Sequence, residues 1–235
     1  MRSVCGRSTR SLDVAKVCAV NHHLGRAERD FRLGEFLLVI FIAFSWSIVA
    51  SISGLLNYRP DGEIVAFNDT HLWSLVGSQL ALVPIIAFVL RLAGWRWRDF
   101  HVNYSNKGTI AGVVLALLAL FLMLSVEWLV GPVNVTPPSA SLIAVIVLSL
   151  VNPWYEELLV CAFVIESLRK RFGLQAAVNV SIALRLSYHL YQGPPAFIVF
   201  AVFGLLVTLF YVKTGRLWPV VVAHSILDFM ALATF

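Results

Sequence analysis

The chain has 235 residues and a net charge of +5; 59% of its residues are hydrophobic and only 13% are charged. Soluble domains are about 45–50% apolar and about 25% charged, so this composition excludes an ordinary water-soluble fold. The positive charge does not indicate nucleic-acid binding, because the basic residues form short clusters between apolar runs rather than one basic face. The composition therefore predicts an integral membrane protein that has the lipid bilayer as its partner.

Residues 1–32 are polar and Arg-rich, and we interpret them as a basic cytoplasmic tail because no apolar signal-peptide core follows the early arginines. Apolar runs then fill residues 33–235, and most are near the 20 or so residues that cross about 30 Å of hydrocarbon. Runs of this length predict an all-α bundle of about seven spans, since barrel strands would alternate over about ten residues. The predicted spans are 33–56, 72–92, 109–130, 140–168, 174–192, 195–212 and 217–235.

The distribution of Lys and Arg predicts the orientation of these spans. Basic clusters in the tail and in residues 91–107, 169–171 and 213–216 alternate with loops that carry almost no basic residues. Of the 18 Lys and Arg residues, only Arg59 and Arg185 lie elsewhere. Because cytoplasmic loops carry the excess of positive charge, the N-terminus is predicted to be cytoplasmic. We expect a multi-pass protein of the cell membrane.

Six ionisable residues lie deep within the last predicted spans, where charged side chains are costly and indicate function by default. At about 1.5 Å per residue from the cytoplasmic helix ends, all six fall in one slab near the middle of the membrane. The i, i+4 spacing also places two pairs on shared helix faces: Arg185 with His189, and His224 with Asp228. The six are Glu156, Glu157, Arg185, His189, His224 and Asp228.

Hydrolysis is the chemistry that this set predicts. A carboxylate and a histidine can deprotonate a water, and a second histidine with a polar partner can stabilise an oxyanion. The alternative is a buried polar network that only locks helices together. Among the other polar residues, the mid-span amides Gln79 and Asn179 are interpreted as interhelical hydrogen-bonding groups, and His71 and His101 as solvated side chains.

Three motifs on these helices resemble those of the CPBP family, the CAAX-prenyl protease and bacteriocin-processing membrane proteins, also called Abi. The resemblance covers about residues 140–230. The motifs Glu-Glu-x-x-x-Arg, Phe-x-x-x-His and His-x-x-x-Asn/Asp correspond to Glu156 to Cys161, Arg185 to His189, and His224 to Asp228. Two positions depart from the family pattern: Cys161 stands where the first motif has Arg, and Arg185 where the second has Phe.

This resemblance implies a helical intramembrane endopeptidase of the glutamic type, which needs no metal or other cofactor. Glu156 would activate the water with the help of His189, and Glu157 would be the supporting carboxylate. His224 and Asp228 would form the oxyanion site. The resemblance further implies a peptide or membrane-anchored protein as substrate, with prenylated CAAX substrates as one option.

The two departures suggest a compensating exchange of charge. An Arg in mid-membrane and a pair of carboxylates without a cation are each costly, and Arg185 lies at nearly the same depth as Glu157. We therefore expect Arg185 to pair with Glu157 in place of the Arg that is missing at Cys161. The alternative is that Arg185 faces a water-filled cavity and contacts the substrate.

Three other functions remain open from the sequence. A zinc hydrolase could use His189, His224 and a glutamate, although the chain has no His-Glu-x-x-His helix. The replacement of the motif Arg by Cys161 suggests a non-catalytic immunity or scaffold protein of the same fold. A proton-coupled transporter could also use a Glu–His network, but the chain has neither internal repeats nor paired interrupted spans.

Overall fold

The computed structural model describes residues 32–58, 67–131 and 139–233, and the fold of this part of the chain is helical. The predicted tail lies outside the described residues except for Arg32. A π-helix, Glu157–Phe163, joins α4 to α5, and short 3₁₀ helices, Trp97–Phe100 and Leu190–Gln192, precede α3 and α7. Helices α1 to α8 are Leu33–Leu56, Asp69–Leu92, Asn106–Val130, Leu142–Glu156, Val164–Phe172, Leu174–Ser187, Gly193–Thr214 and Trp218–Ala233.

Each predicted apolar run contains a helix or a series of helical segments, which confirms the all-α membrane bundle. Within the described residues, 5 helical segments are long and apolar enough to cross a membrane. Helices α6 and α8 are shorter, at 14 and 16 residues. The predicted fifth span, 174–192, is longer than α6 because the chain leaves the helix after Ser187 and turns. The five long segments are α1, α2, α3, the α4–π–α5 unit and α7 with its preceding 3₁₀ turn.

Polar side chains fix where several of these helices begin. The first N–H groups of a helix have no partner within it, so a side-chain oxygen at the N-cap stabilises them. Asn68 accepts a hydrogen bond from the backbone N–H of His71, which caps α2. Ser105 accepts one from Gly108 at the start of α3, and Ser141 caps α4 in the same way. These caps mark the points where the chain enters each apolar segment.

The α4–π–α5 unit lies at the centre of the bundle. In its most apolar window 56% of the residues are buried, against 17–39% in the other four long segments. Helix α8 packs against α3 and α4, while α6 packs against α5 and α7. Many large apolar side chains on α1, α2 and α3 are exposed, as expected for helices in contact with lipid. The unit that carries Glu156 and Glu157 is therefore enclosed by the other helices.

The turn between α6 and α7 is tied to α1. The backbone N–H of Tyr191 donates to Ser51 Oγ on α1 at 3.1 Å. Gly193 has φ +84°, and a Cβ atom there would lie 2.3 Å from the ring of Tyr58, so only glycine fits at this position. These contacts fix the turn that carries His189.

The charge distribution gives a topology that labelling can test. We expect single cysteines at residues 96–107 and 213–216 to react with a cytoplasmic reagent, and cysteines at 132–139 to react only from outside. The structure brings the first two segments together, because the N–H of Leu217 donates to the carbonyl of His101 at 3.2 Å. Of the 132–139 loop, only Ser139 is among the described residues. Labelling of that loop from the cytoplasmic side would contradict the predicted orientation.

Candidate active site

The two adjacent glutamates lie where an α-helix changes into a π-helix. Glu156 ends α4 and Glu157 begins the π-helix, a rare form with i→i+5 hydrogen bonds that is frequent at functional sites. Pro153, one turn earlier, has no N–H to donate within the helix. On the π-helix, the carbonyl of Val160 accepts a hydrogen bond from Ser181 Oγ on α6 at 2.8 Å. The irregular segment is thus fastened to α6, the helix that carries Arg185.

Glu157 and Arg185 form a buried ion pair. Arg185 Nη2 lies 2.7 Å from Glu157 Oε2, and both side chains have 0% exposure. The sequence-based prediction of this pair is therefore confirmed. The same Nη2 atom lies 3.9 Å from Cys161 Sγ, so the guanidinium occupies the space beside position 161. Its positive charge reaches Glu157 from α6 rather than from the helix that bears the glutamate.

The side chain of Arg185 fits against α7. A Cβ atom on Gly204 would lie 3.1 Å from Arg185 Cδ, so the missing side chain there makes room for the arginine stem. The guanidinium carbon lies 5.2 Å from the centre of the Phe203 ring, within cation–π range. Nη1 lies 3.6 Å from Glu156 Oε2, too far for a hydrogen bond. Arg185 therefore pairs closely with Glu157 and faces Glu156 at a longer distance.

His224 connects two carboxylates. Its Nδ1 atom lies 2.6 Å from Glu157 Oε1, and its Nε2 atom lies 3.2 Å from Asp228 Oδ1. A histidine ring can donate from both nitrogens only as the imidazolium cation. Phe203 contacts the ring edge-on at 5.1 Å between centroids. Glu157 thus accepts a hydrogen bond from Arg185 and contacts the ring of His224.

Asp228 is the next member of the same chain of contacts. Its Oδ2 atom accepts a hydrogen bond from Asn152 Nδ2 at 3.0 Å, and Gln79 Nε2 donates to Asn152 Oδ1 at 2.6 Å. The interpretation of Gln79 as an interhelical hydrogen-bonding group is confirmed. Sequence reasoning missed Asn152, although it lies four residues before Glu156 and therefore on the same face of α4. That spacing was the signal that could have found it.

Glu156 is bound differently from the other two carboxylates. Its Oε2 atom accepts a hydrogen bond from the hydroxyl of Tyr188 at 2.7 Å. Tyr188 in turn stacks on Phe44 of α1, with ring centroids 5.2 Å apart. Sequence reasoning missed Tyr188 as well, although it immediately precedes His189. Among the three carboxylates, only Glu156 has no ion pair shorter than 3.6 Å with the described residues.

His189 lies beside this network rather than within it. It follows α6 in the turn, where its ring stacks on Phe200 at 4.5 Å and lies 4.8 Å from the ring of Tyr188. Its Nδ1 atom is buried and forms no hydrogen bond of normal geometry with the described residues, although Gln192 is close enough for an electrostatic interaction. The other five predicted residues therefore form one chain of polar contacts. His189 is next to this chain because its ring contacts Tyr188, which donates to Glu156.

One expectation outside the site is wrong. His101 was expected to be solvated, but its side chain is only 21% exposed and its Nε2 atom lies 3.5 Å from Glu166 Oε1. Glu166 also pairs with Arg169 at 2.8 Å and accepts a hydrogen bond from Tyr211 at 3.3 Å. The loop that carries His101 folds back onto α5, which a one-dimensional pattern does not indicate. This ion cluster ties the loop before α3 to α5 and α7.

The carboxylates and histidines of the site are side chains of the kind that commonly bind metal ions. In the described ranges, however, no three His, Cys, Asp or Glu side chains group in a way that could hold a metal ion. His224 and its two carboxylates are arranged instead in a line of donor–acceptor contacts.

Comparison with known proteins identifies the segment that contains this network. A family model described as "Rce1-like: Type II CAAX prenyl endopeptidase Rce1-like" matches residues 138–230, which include all six predicted site residues. The resemblance to the CPBP family is confirmed. The match supports the general assignment of an intramembrane CAAX endopeptidase that acts on a peptide or protein substrate. No curated protein and no solved structure gives a significant match to the chain.

Proposed function

We propose that this protein is an intramembrane endopeptidase of the glutamic type, in which Glu156 activates the water that attacks the peptide bond. The proposal rests on the distribution of charge around the three carboxylates. Glu157 contacts Arg185 at 2.7 Å and His224 at 2.6 Å. Asp228 contacts His224 at 3.2 Å. Among the described residues, only the hydroxyl of Tyr188 lies at hydrogen-bonding distance from Glu156, so Glu156 is the carboxylate best able to accept a proton.

The reaction can be written with these groups. Glu156 removes a proton from the water while the water oxygen attacks the scissile carbonyl carbon. The carbonyl oxygen then becomes the oxyanion of a tetrahedral intermediate. The carboxylic acid formed at Glu156 then gives its proton to the leaving amine as the C–N bond breaks. The positive charge of His224, held by Glu157 and Asp228, stabilises the oxyanion. His189 borders Glu156 through Tyr188 and assists in orienting the water.

The substrate proposed here is a peptide or membrane-anchored protein that reaches the site from the cytoplasm or from the lipid. Prenylated CAAX proteins are one such class, and the cell membrane is the proposed location. Many large apolar side chains of α1, α2 and α3 are exposed, which places the bundle in lipid, where a substrate that carries a lipid group is found.

Cleavage by the purified protein in lipid nanodiscs tests this function. The probe is a fluorescence-quenched peptide ending in a farnesylated CAAX sequence, and mass spectrometry identifies the new carboxyl end. An identical peptide without the farnesyl group is the matched control. We expect cleavage of at least one of the two peptides. If neither is cleaved, and proteome-derived membrane peptides are also left intact, the non-catalytic scaffold becomes the better explanation.

Removal of metal separates this mechanism from that of a zinc hydrolase. Because the proposed base is a carboxylate that activates water directly, we expect activity to survive exhaustive treatment with EDTA and 1,10-phenanthroline. The measurement is the initial rate before and after treatment, with a zinc protease treated in parallel. Loss of activity on chelation and recovery with Zn²⁺ would contradict the proposal and favour the zinc enzyme.

A further inference from the structure

The proposed reaction needs a hydrogen-bond donor for the oxyanion, and the residues of the third motif do not offer one. Both ring nitrogens of His224 already contact carboxylates, at 2.6 and 3.2 Å. Asp228 contacts His224 and accepts a hydrogen bond from Asn152, so its carboxylate acts as an acceptor. An ionised carboxylate has no proton to donate. The charge of His224 can act on the oxyanion, but the N–H donor must come from another residue.

Asn152 has such a donor in a fixed orientation. Its Oδ1 atom accepts from Gln79 at 2.6 Å, and its Nδ2 atom donates to Asp228 at 3.0 Å. The opposite orientation of the amide would set its carbonyl oxygen against the carboxylate of Asp228, so the contacts determine which way the group points. An amide nitrogen carries two N–H groups, and only one is used by Asp228. In the described part of the chain, the second N–H has no further acceptor.

The position of Asn152 also suits this role. It lies four residues before Glu156 on the same face of α4, about 6 Å away along the helix axis at 1.5 Å per residue. We expect the water on Glu156 and the carbonyl that it attacks to lie between these two side chains. Asn152 donates a hydrogen bond to Asp228, whose side chain is 21% exposed, whereas the side chain of Arg185 is fully buried. Asn152 is itself partly exposed, so it lies on the accessible side of the network, where a substrate carbonyl can approach.

We propose that Asn152 is a further catalytic residue, which donates a hydrogen bond from its side-chain amide to the oxyanion. Gln79 and Asp228 are then positioning residues, because they fix the direction of that amide. This inference rests on the proposed endopeptidase function and adds the donor that the motif residues lack.

The first test is the Asn152→Ala variant in the nanodisc assay with the farnesylated peptide. Loss of one oxyanion donor typically lowers kcat by about 10²–10³-fold, and we expect a loss of that order with KM changed less than threefold. Asn179→Ala is the matched control. The sequence suggested that Asn179 bonds between helices, but it is an exposed amide on α6 outside the network, so its variant should retain wild-type kcat. A peptide aldehyde, whose hydrate mimics the tetrahedral intermediate, should lose affinity for Asn152→Ala in proportion to kcat/KM. A merely structural role would instead lower the unfolding midpoint and raise KM.

A second variant keeps the size of the side chain in case Asn152→Ala does not fold. Asn152→Asp removes the donor and sets two carboxylates against each other, so it should be at least as inactive. Adding Asp228→Asn restores an amide–carboxylate pair and should restore the unfolding midpoint, but kcat should stay low because position 152 still has no N–H to donate; recovery of kcat to within threefold of wild type would overturn the role of Asn152.

The outcomes distinguish this inference from the function on which it rests. If Asn152→Ala keeps kcat within threefold of wild type, or if aldehyde affinity is unchanged, the role of Asn152 is overturned while the endopeptidase function stands. If wild type cleaves nothing, or Glu156→Gln is as active as wild type, the proposed function fails and the role of Asn152 fails with it.

Discussion

The Glu156→Gln variant is expected to lose activity while it keeps its fold. Glutamine has the shape of glutamate but cannot accept the proton of the attacking water, and removal of a general base lowers kcat by about 10²–10⁴-fold. The hydroxyl of Tyr188, which lies 2.7 Å from Glu156 Oε2, can still donate to an amide oxygen. No short ion pair is broken, since Arg185 Nη1 lies 3.6 Å away. The measurements are kcat in nanodiscs and the thermal unfolding midpoint.

Two other glutamates provide the controls for this result. Glu35→Gln removes a carboxylate that only pairs with Arg32 near the start of α1, and it should leave kcat and stability unchanged. Glu157→Gln should instead lower the unfolding midpoint strongly, because it leaves the charges of Arg185 and His224 without their common partner. Wild-type cleavage by Glu156→Gln would contradict the assignment of Glu156 as the base.

Much of the fold follows from the sequence because apolar length is a one-dimensional property. The run at residues 33–56 coincides with α1, and each later run overlaps a helix. The pairing of Arg185 with Glu157 also follows, since two unbalanced charges at one depth in lipid constrain each other. The turn after Ser187 could not be predicted in the same way, because it depends on Gly193 packing against Tyr58, two residues far apart in the sequence.

The parts of the site that sequence reasoning missed are neutral polar groups. Asn152 and Tyr188 each bond to a carboxylate of the network, yet neither is costly enough in a membrane helix to mark a site by its presence alone. The π-helix at Glu157 was also beyond prediction, because its register depends on contacts with other helices such as that of Ser181. Charged residues thus locate the site, while its geometry depends on neighbours that only the structure identifies.

The Arg185→Ala variant is expected to be strongly destabilised. It leaves Glu157 as a carboxylate with 0% exposure that has lost its contact at 2.7 Å. Breaking a buried pair in this way costs about 3–5 kcal/mol, because Glu157 loses its permanently charged partner and keeps only the contact with His224. Gly204 and Phe203, which pack against the arginine, would also lose their contact. The free energy of unfolding in detergent and the rate of peptide cleavage measure the effect.

Adding Cys161→Arg to Arg185→Ala should restore much of that loss. Cys161 lies four residues after Glu157, and its Sγ atom is 3.9 Å from the Nη2 atom of Arg185. An arginine at 161 can therefore place its guanidinium in the space that Arg185→Ala vacates, and return a cation to Glu157. Cys161→Arg alone is the matched control: it crowds two guanidinium groups into one buried site and should destabilise the protein. Opposite effects of the same substitution in the two backgrounds would show that one cation, supplied from either helix, is what Glu157 requires. If Arg185→Ala behaves like wild type, or if Cys161→Arg worsens both backgrounds equally, the two positions do not exchange this role.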